Sequence, residues 1–405
     1  MKIYPLERAW QSARLFPTDS TSRHINVYKV HGVELIGDFL YPNAVIYSHQ
    51  EKMAFNPINE RVMSLGDKGE RDWEPVFQPL FEPPESLKTP VFFFLYNTDN
   101  YYHFVYDSLP YLISYFEMKE RYPDLKLLVT QPNHSSKKLY PFVSEFLELA
   151  GIPKADIMFA RHDVLYETMI LSDSYTHGRD SNLQPRPEVY DFLSGLTSFV
   201  EPVEDFGQKI YISRRSWIHG DKSNMGTDYT TRRKMQNEDE LVDFLISVGY
   251  NEVFAELLST EEKLGVFKQA SHVVGAIGGG MCNVLFCPPE TRVHCIISPN
   301  FLDINARFIF SFSENTKYWV DTQHVETGYF KRYMRVKFGN GQVGEIENIS
   351  NGKALIKYAT QSVAGWNASA EYKTIELPLD DLTKIDNGLN SEWKFNMTHF
   401  KRRIK

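Results

Sequence analysis

The chain reads as an α/β protein of two strand–helix–strand units, led by a β-rich segment and followed by a small antiparallel β domain. Three observations carry that reading. Short apolar strands alternate with helical patterns in two separate stretches, a Pro-containing acidic passage divides them, and near the end the pattern changes to alternating strands with Gly-Asn turns. At 405 residues, the chain exceeds one compact core, and the expected divisions are residues 1–205, 206–328 and 329–405.

Residues 24–50 alternate apolar and polar side chains, with Gly32, Gly37 and Pro42 as punctuation, which predicts short antiparallel strands forming an amino-terminal cap. The run V-F-F-F-L-Y at 91–96 is a dense strand, and Asn97 to Asn100 a polar turn. From Tyr101 to Tyr122 the pattern is helical, with Phe104, Ser108, Tyr111 and Tyr115 on one face and Pro110 marking a kink or a restart. Leu125 to Thr130 is a second strand, Tyr140 to Ala150 a helix ended by Gly151, and Asp156 to Phe159 a third strand. That order predicts a parallel sheet covered on both faces.

Ser198 to Gln208 reads as the passage between units. A second cycle follows: strand Lys209 to Ser213, helix Asn237 to Val248 stopped by Gly249, and strand Glu252 to Ala255. Next come a helix from Ser259 to about Gln269, with Glu262 completing a capping box, and strands His272 to Gly275 and Val293 to Ile297. Two such units facing one another leave a cleft, where ligands usually bind. From Tyr333 onward, M-R-V-K-F, G-N-G-Q-V-G-E-I, K-A-L-I-K-Y and Y-K-T-I-E-L-P predict a small antiparallel, SH3-like barrel as an appendage.

Lys and Arg total 44 against 52 Asp and Glu, a formal charge of −8 with no long basic block, which argues against nucleic acid as a partner. No stretch approaches the roughly 20 apolar residues of a membrane span, and the first residues lack a signal-peptide pattern, so a cytoplasmic protein with no transmembrane segment is expected. Cys282, Cys287 and Cys295 lack metal-ligand spacing and read as buried free thiols. No D-x-D metal motif stands at a convincing strand end, and no metal site is expected. Oligomeric state is open.

The segment V-V-G-A-I-G-G-G-M-C-N-V-L-F-C-P-P-E at 273–290 follows a strand and leads into an expected helix at Met281 to Phe286. Gly275, Gly278, Gly279 and Gly280 let backbone N–H groups approach a phosphate closely. The spacing is neither a Walker A loop nor G-x-G-x-x-G. Arg214 and Arg215, just past a strand end, and Arg232 and Arg233, just before a helix, are candidate partners for a diphosphate. His103 and Asp107, four apart, share one helical face, where the carboxylate fixes the imidazole tautomer and suits it to take a proton from a hydroxyl. The polar run S-D-S-Y-T-H-G-R-D at 172–180, with His177 and Arg179, is a candidate acceptor-lining loop, or an ordinary surface loop. Asp303 and His219-Gly220-Asp221 are weaker candidates.

Taken together, these residues resemble glycosyltransferase family 61, the DUF563 group. Its amino-terminal part has an Asn, two aromatics, a His and an Asp four beyond, matched by Asn100, Tyr101, Tyr102, His103 and Asp107. Its second part has an Arg after a strand, then Arg, two intervening residues and Asn-Glu before a helix, matched by Arg214, Arg233, Asn237 and Glu238. Where the family carries G-A-H-G-A-G-x-x-N with Phe and Pro following, this chain keeps Gly275, Ala276, Gly278, Gly280, Asn283, Phe286 and Pro288. It departs at Ile277, where the family has His, and at Lys263, where Gln is frequent. Coverage is about residues 90–325.

The resemblance implies a GT-B architecture of two Rossmann-like lobes and inversion at the anomeric carbon without a divalent ion. The donor substrate would be a nucleotide-diphosphate sugar such as a UDP-sugar, and the acceptor a glycan or protein hydroxyl. His103 or Asp107 would take the acceptor proton, and Arg214, Arg233, Lys263, Gly278, Gly279, Gly280 and Asn283 would hold the donor. A bacterial or virus-encoded enzyme of surface-glycan synthesis fits this picture. A sugar-nucleotide epimerase and a catalytically inactive glycan-binding or scaffold protein remain open alternatives.

Overall fold

The structure is a computed structural model, and it describes residues 14–15, 25, 27–36, 45–49, 53–56, 61–64, 85–94, 100–129, 139–162, 164–177, 184–219, 233–299, 311–312, 317–325, 329–360, 372–386 and 391–404. Arg179, Asp180, Gly220, Asp221, Arg232 and Asp303 lie outside the described residues.

The chain is an α/β fold with two large sheets. The first has nine strands, in the order Arg61–Ser64, Met53–Asn56, Val45–Ser48, Val27–Ile36, Val164–Ser172, Val91–Phe93, Lys126–Val129 and Ile157–Phe159, with Glu85–Leu87 also pairing the strand Val164–Ser172. Val164–Ser172 runs parallel to Val91–Phe93, which is followed by Lys126–Val129 and Ile157–Phe159 in parallel. Its other edge pairs antiparallel with Val27–Ile36. The expected amino-terminal cap is thus the antiparallel half of the same sheet. Val164–Ser172 joins the two halves. Met169, Ile170 and Leu171 are buried together there, an apolar run with no alternation to announce a strand.

The second sheet has the order Arg14–Leu15, Lys317–Asp321, Arg292–Ile296, His272–Ala276, Lys209–Ile212 and Asn251–Val253. All its pairings are parallel except that of Arg14–Leu15, which lies antiparallel against Lys317–Asp321. Residues near the start of the chain therefore close the edge of the second sheet. The helix Glu238–Ser247 buries Leu241, Val242 and Leu245 against Tyr211, Val274 and Ile296. The same face takes Trp393, Phe395 and the helix Met397–Ile404 through Met397 and Phe400. The sequence reading found no helix after Tyr333. This one is only two turns long, and its apolar face, Met397, Phe400 and Ile404, is interrupted by the basic Lys401, Arg402 and Arg403.

Residues 335–386 form a five-stranded antiparallel sheet in the order Tyr372–Pro378, Lys353–Ala359, Gln342–Ser350, Arg335–Phe338 and Thr383–Asp386, with its own core of Met334, Val336, Phe338, Ile346, Ala354, Ile356 and Leu382. Among the described residues its two edge strands do not pair, so the expected barrel is an open antiparallel sheet there.

One hydrophobic core runs through both large sheets. It passes from Phe92 and Leu127 through Phe146 and Leu193 to Leu264, Phe286 and Val293. The passage at 198–208 is strapped across the helix Thr260–Lys268: Lys268 Nζ donates to the Val200 carbonyl at 2.7 Å, and Gln269 donates to the carbonyl of Val203. Gly265 is needed inside that helix because a Cβ there would stand 2.5 Å from the Glu201 carbonyl oxygen. The predicted capping box is formed, with Ser259 Oγ accepting from the Glu262 amide at 3.2 Å and Glu262 Oε2 from the Ser259 amide at 2.7 Å. The three cysteines are free and buried. Among the described residues no helix is long and apolar enough to cross a membrane, and no group of three or more His, Cys, Asp or Glu is placed to hold a metal ion.

Candidate active site

His103 closes a single α-turn, Tyr101–His103, that opens into a π-turn, Phe104–Ser108. Asn100 starts it, its side chain accepting from the His103 amide at 3.3 Å. Pro110 explains the widening: it has no N–H to offer the Tyr106 carbonyl and its ring would crowd that oxygen, so the backbone bond shifts to Leu109 N–H donating to Phe104 O at 2.9 Å. The sequence reading placed a kink or restart here and did not identify the π-turn.

The His103 ring lies 2.6 Å, Nδ1 to Oδ2, from Asp107. Asp107 is fully buried and His103 is 30% exposed through its side chain. A carboxylate accepts at that distance, so the proton sits on Nδ1 and the basic lone pair on Nε2. The two residues therefore have different parts: His103 faces outward, and Asp107 cannot reach a substrate hydroxyl. Thr176 Oγ1 donates to the second carboxylate oxygen at 2.8 Å. The run at 172–177, read as a candidate acceptor loop, is an internal support instead. Ser174 Oγ accepts from the Thr176 and His177 amides, His177 Nε2 meets Tyr111 Oη at 3.1 Å, and Ser114 meets both Ser172 and Tyr175.

The glycine segment leaves the carboxyl end of the strand His272–Ala276 and becomes a 3₁₀ turn, Gly279–Phe286, where the sequence predicts a helix from Met281. Its first internal bond is Met281 N–H to Gly278 O at 3.0 Å, so the amides of Gly279 and Gly280 precede it. Because Lys209–Ile212 pairs in parallel with His272–Ala276, with Ile212 opposite Gly275, Arg214 and Gly278 emerge side by side. Arg214 Nη1 donates to the Ile277 carbonyl at 2.9 Å. Gly278 is required by that contact, since a Cβ would fall 2.4 Å from Arg214 Nη1; at Gly279 a Cβ would meet nothing within 4 Å. Burial lowers the Arg214 pKa, partly offset by Glu238. Glu238 Oε1 accepts from the Arg214 amide at 2.8 Å and from Tyr211 Oη at 2.9 Å, fixing the strand end, and burial raises its own pKa.

The remaining candidates are not equivalent. Arg215 is taken up by Glu252 through two bonds of 2.6 and 2.7 Å and by Asp239 at 2.7 Å, which raises its pKa and makes it structural. Arg233 stands just before the Asn237–Glu238 pair with a left-handed backbone, φ 55°, uncommon outside glycine, and its carbonyl accepts from the Trp393 indole. Asn237 exchanges two bonds with the Phe395 backbone. Ile277 is 2% exposed, its side chain in the core.

The two segments meet directly. Tyr101 Oη donates to Asn283 Oδ1 at 2.5 Å, and Asn283 Nδ2 donates to the Gly280 carbonyl at 2.9 Å. Asn283 is fully buried with both ends of its amide engaged, so it shapes the glycine turn and does not face a ligand. Lys263, 9% exposed, holds its ammonium 5.1 Å from the Tyr101 ring centroid, where burial lowers its pKa. The Phe146 and Phe286 rings stack 5.9 Å apart, and Glu145 accepts from the Thr260 amide at 3.1 Å. Tyr101, Thr176 and Glu238 hold the site together without a spacing signal of their own: Thr176 is fully buried, Tyr101 half-buried, and Tyr101 and Glu238 stood out only within the family pattern.

Residues 101–294 match the glycosyltransferase 61 family model. On that match the chain is an enzyme of the glycosyltransferase class. The matched span opens at Tyr101, covers the His103–Asp107 pair, Arg214 and the whole glycine segment, and stops at His294 within the strand Arg292–Ile296 of the second sheet. It is narrower than the expected 90–325 and leaves out the antiparallel half of the first sheet and the appended sheet. No curated protein matches the chain.

Proposed function

We propose that this chain, which matches the glycosyltransferase 61 family model over residues 101–294, is an inverting, metal-independent enzyme of GT-B type, moving a sugar from a nucleoside-diphosphate donor, a UDP-sugar foremost, to a hydroxyl of a glycan or protein. The observation that carries the reading is the Tyr101–Asn283 hydrogen bond, which joins the His103 segment to the Arg214–Gly278 turn. In this account His103 Nε2 takes the proton of the acceptor hydroxyl as its oxygen bonds to the anomeric carbon, while Asp107 stabilises the resulting imidazolium. The bond from that carbon to the diphosphate oxygen breaks in the same displacement, which inverts the configuration. The charge gathering on the leaving phosphate meets the Arg214 guanidinium and the amides of Gly279 and Gly280. Arg233 is a second cation for the donor, and Lys263 contributes positive potential from behind Tyr101. Synthesis of a surface glycan in the cytoplasm of a bacterium, or directed by a virus, is the setting that goes with this reading.

A second reading, an inactive glycan-binding protein, is favoured by Ile277, which replaces the family's histidine with a buried aliphatic side chain. A thermal-shift screen of UDP-, GDP-, dTDP- and CMP-sugars, followed by product analysis with sugar acceptors in the presence of EDTA, separates the two. Donor-dependent stabilisation with EDTA-resistant transfer and an inverted anomer supports the enzyme. Glycan binding with no turnover of any donor contradicts it.

A further inference from the structure

We infer that Thr176 is a positioning residue for His103, acting through Asp107; the inference rests on the reading of His103 as the base. Asp107 is the buried middle of a chain of polar groups that runs from Thr176 inside to His103 at the surface. Its Oδ2 accepts from His103 Nδ1 at 2.6 Å and its Oδ1 from Thr176 Oγ1 at 2.8 Å. Asp107 and Thr176 are both 0% exposed. A buried carboxylate is stable as an anion when several donors hold it, and its rotation about χ2 is stopped when each oxygen has its own donor. Thr176 therefore fixes the plane of the Asp107 carboxylate, and that plane sets the tautomer and ring orientation of His103.

Thr176 is itself held in place. It lies just past the end of the strand Val164–Ser172, and Ser174 Oγ accepts from its amide at 3.2 Å and from the His177 amide at 2.8 Å. The hydroxyl is thus delivered by the strand that joins the two halves of the first sheet, not by the helical turn carrying His103 and Asp107. The run at 172–177 serves as the support for the base.

The test uses the full chain in three forms: wild type, Thr176→Val, which keeps the shape and removes the donor, and Thr176→Ser, which keeps the donor. Nitrogen-15 NMR of the labelled imidazoles, with His103→Gln to assign the signal, reads the tautomer without requiring turnover. Steady-state kinetics with the donor found in the screen reads kcat and KM separately. Thr176→Val is expected to give a mixed His103 tautomer and a kcat lower by roughly 10-fold, the scale of one hydrogen bond to a charged group, with KM little changed. Thr176→Ser is expected to restore both. If Thr176→Val does not fold, Thr176→Ala, smaller by two heavy atoms, carries the same expectation. A donorless variant with the wild-type tautomer and kcat overturns the inference, as does a Ser variant as impaired as the Val variant. Wild type that transfers no sugar sinks the proposed function and His103 as its base, whereas a His103 tautomer that does not answer to Thr176 in a wild type that transfers sugar overturns this inference alone.

Discussion

Gly278 and Gly279 are neighbours with opposite consequences for a methyl group, and that contrast probes the donor turn. In Gly278→Ala the new Cβ would lie 2.4 Å from Arg214 Nη1, so the guanidinium must swing away and give up its 2.9 Å bond to the Ile277 carbonyl. A hydrogen bond from a charged donor contributes about 1.5–3 kcal/mol. If the same guanidinium holds the diphosphate, displacing it weakens UDP binding by roughly 10- to 100-fold. In Gly279→Ala the methyl enters open space, so the fold is expected to be unaffected and the melting temperature unchanged. Gly279 opens the 3₁₀ turn, so its methyl is expected to crowd a phosphate held by the first amides and to lower UDP binding as well. Titration calorimetry with UDP and thermal unfolding without ligand measure the two effects separately. Wild-type UDP affinity in both variants would refute the assignment of this turn to the donor phosphates.

Three further outcomes follow from the geometry. Tyr101→Phe removes the donor to Asn283 Oδ1 and leaves a buried amide oxygen unsatisfied. It is expected to cost about 1–3 kcal/mol of stability in denaturant unfolding and to lower kcat/KM. Arg215→Ala strips Glu252 of its bidentate partner and is expected to lower the melting temperature by a few degrees with donor affinity unchanged, the reverse of Gly279→Ala. His294, 5% exposed and stacked on Trp319, has its pKa lowered to about 4, first by burial and then by Arg403. The unfolded chain binds that proton more readily, so the stability from neutral His294 is complete above the usual value near 6.5. It is lost as pH falls from there toward 4, by about 3 kcal/mol in all. Unfolding followed against pH is expected to lose that slope in His294→Phe.

What the sequence made legible was local. The second sheet's strands and the helices Glu238–Ser247 and Thr260–Lys268 carry apolar periodicity, a Gly stop or a capping box, all short-range signals, and they lie close to where they were expected. The His103–Asp107 contact was legible because four residues make one turn. Less legible was whatever depends on partners distant in the chain. The antiparallel strands at 27–64 join the first sheet only through Val164–Ser172, Arg14–Leu15 pairs some 300 residues away, and Trp393 and Phe395 return to the second sheet. At the site, the His103 and glycine segments were each readable, but their junction was not. It rests on Tyr101 and Asn283, 182 residues apart. Position past a strand end made Arg215 a candidate beside Arg214, which alone fits the family pattern, and nothing in the sequence shows that Glu252 and Asp239 claim Arg215.

The central claim is that His103 performs chemistry at a site whose donor half is built by the second sheet. The direct measurement is His103→Ala, with donor binding by calorimetry and sugar transfer by product analysis on the same preparation. Donor affinity is expected to stay within about 3-fold of wild type and transfer to fall by roughly 100-fold or more. Transfer near the wild-type rate, or loss of donor binding in parallel with transfer, would contradict it.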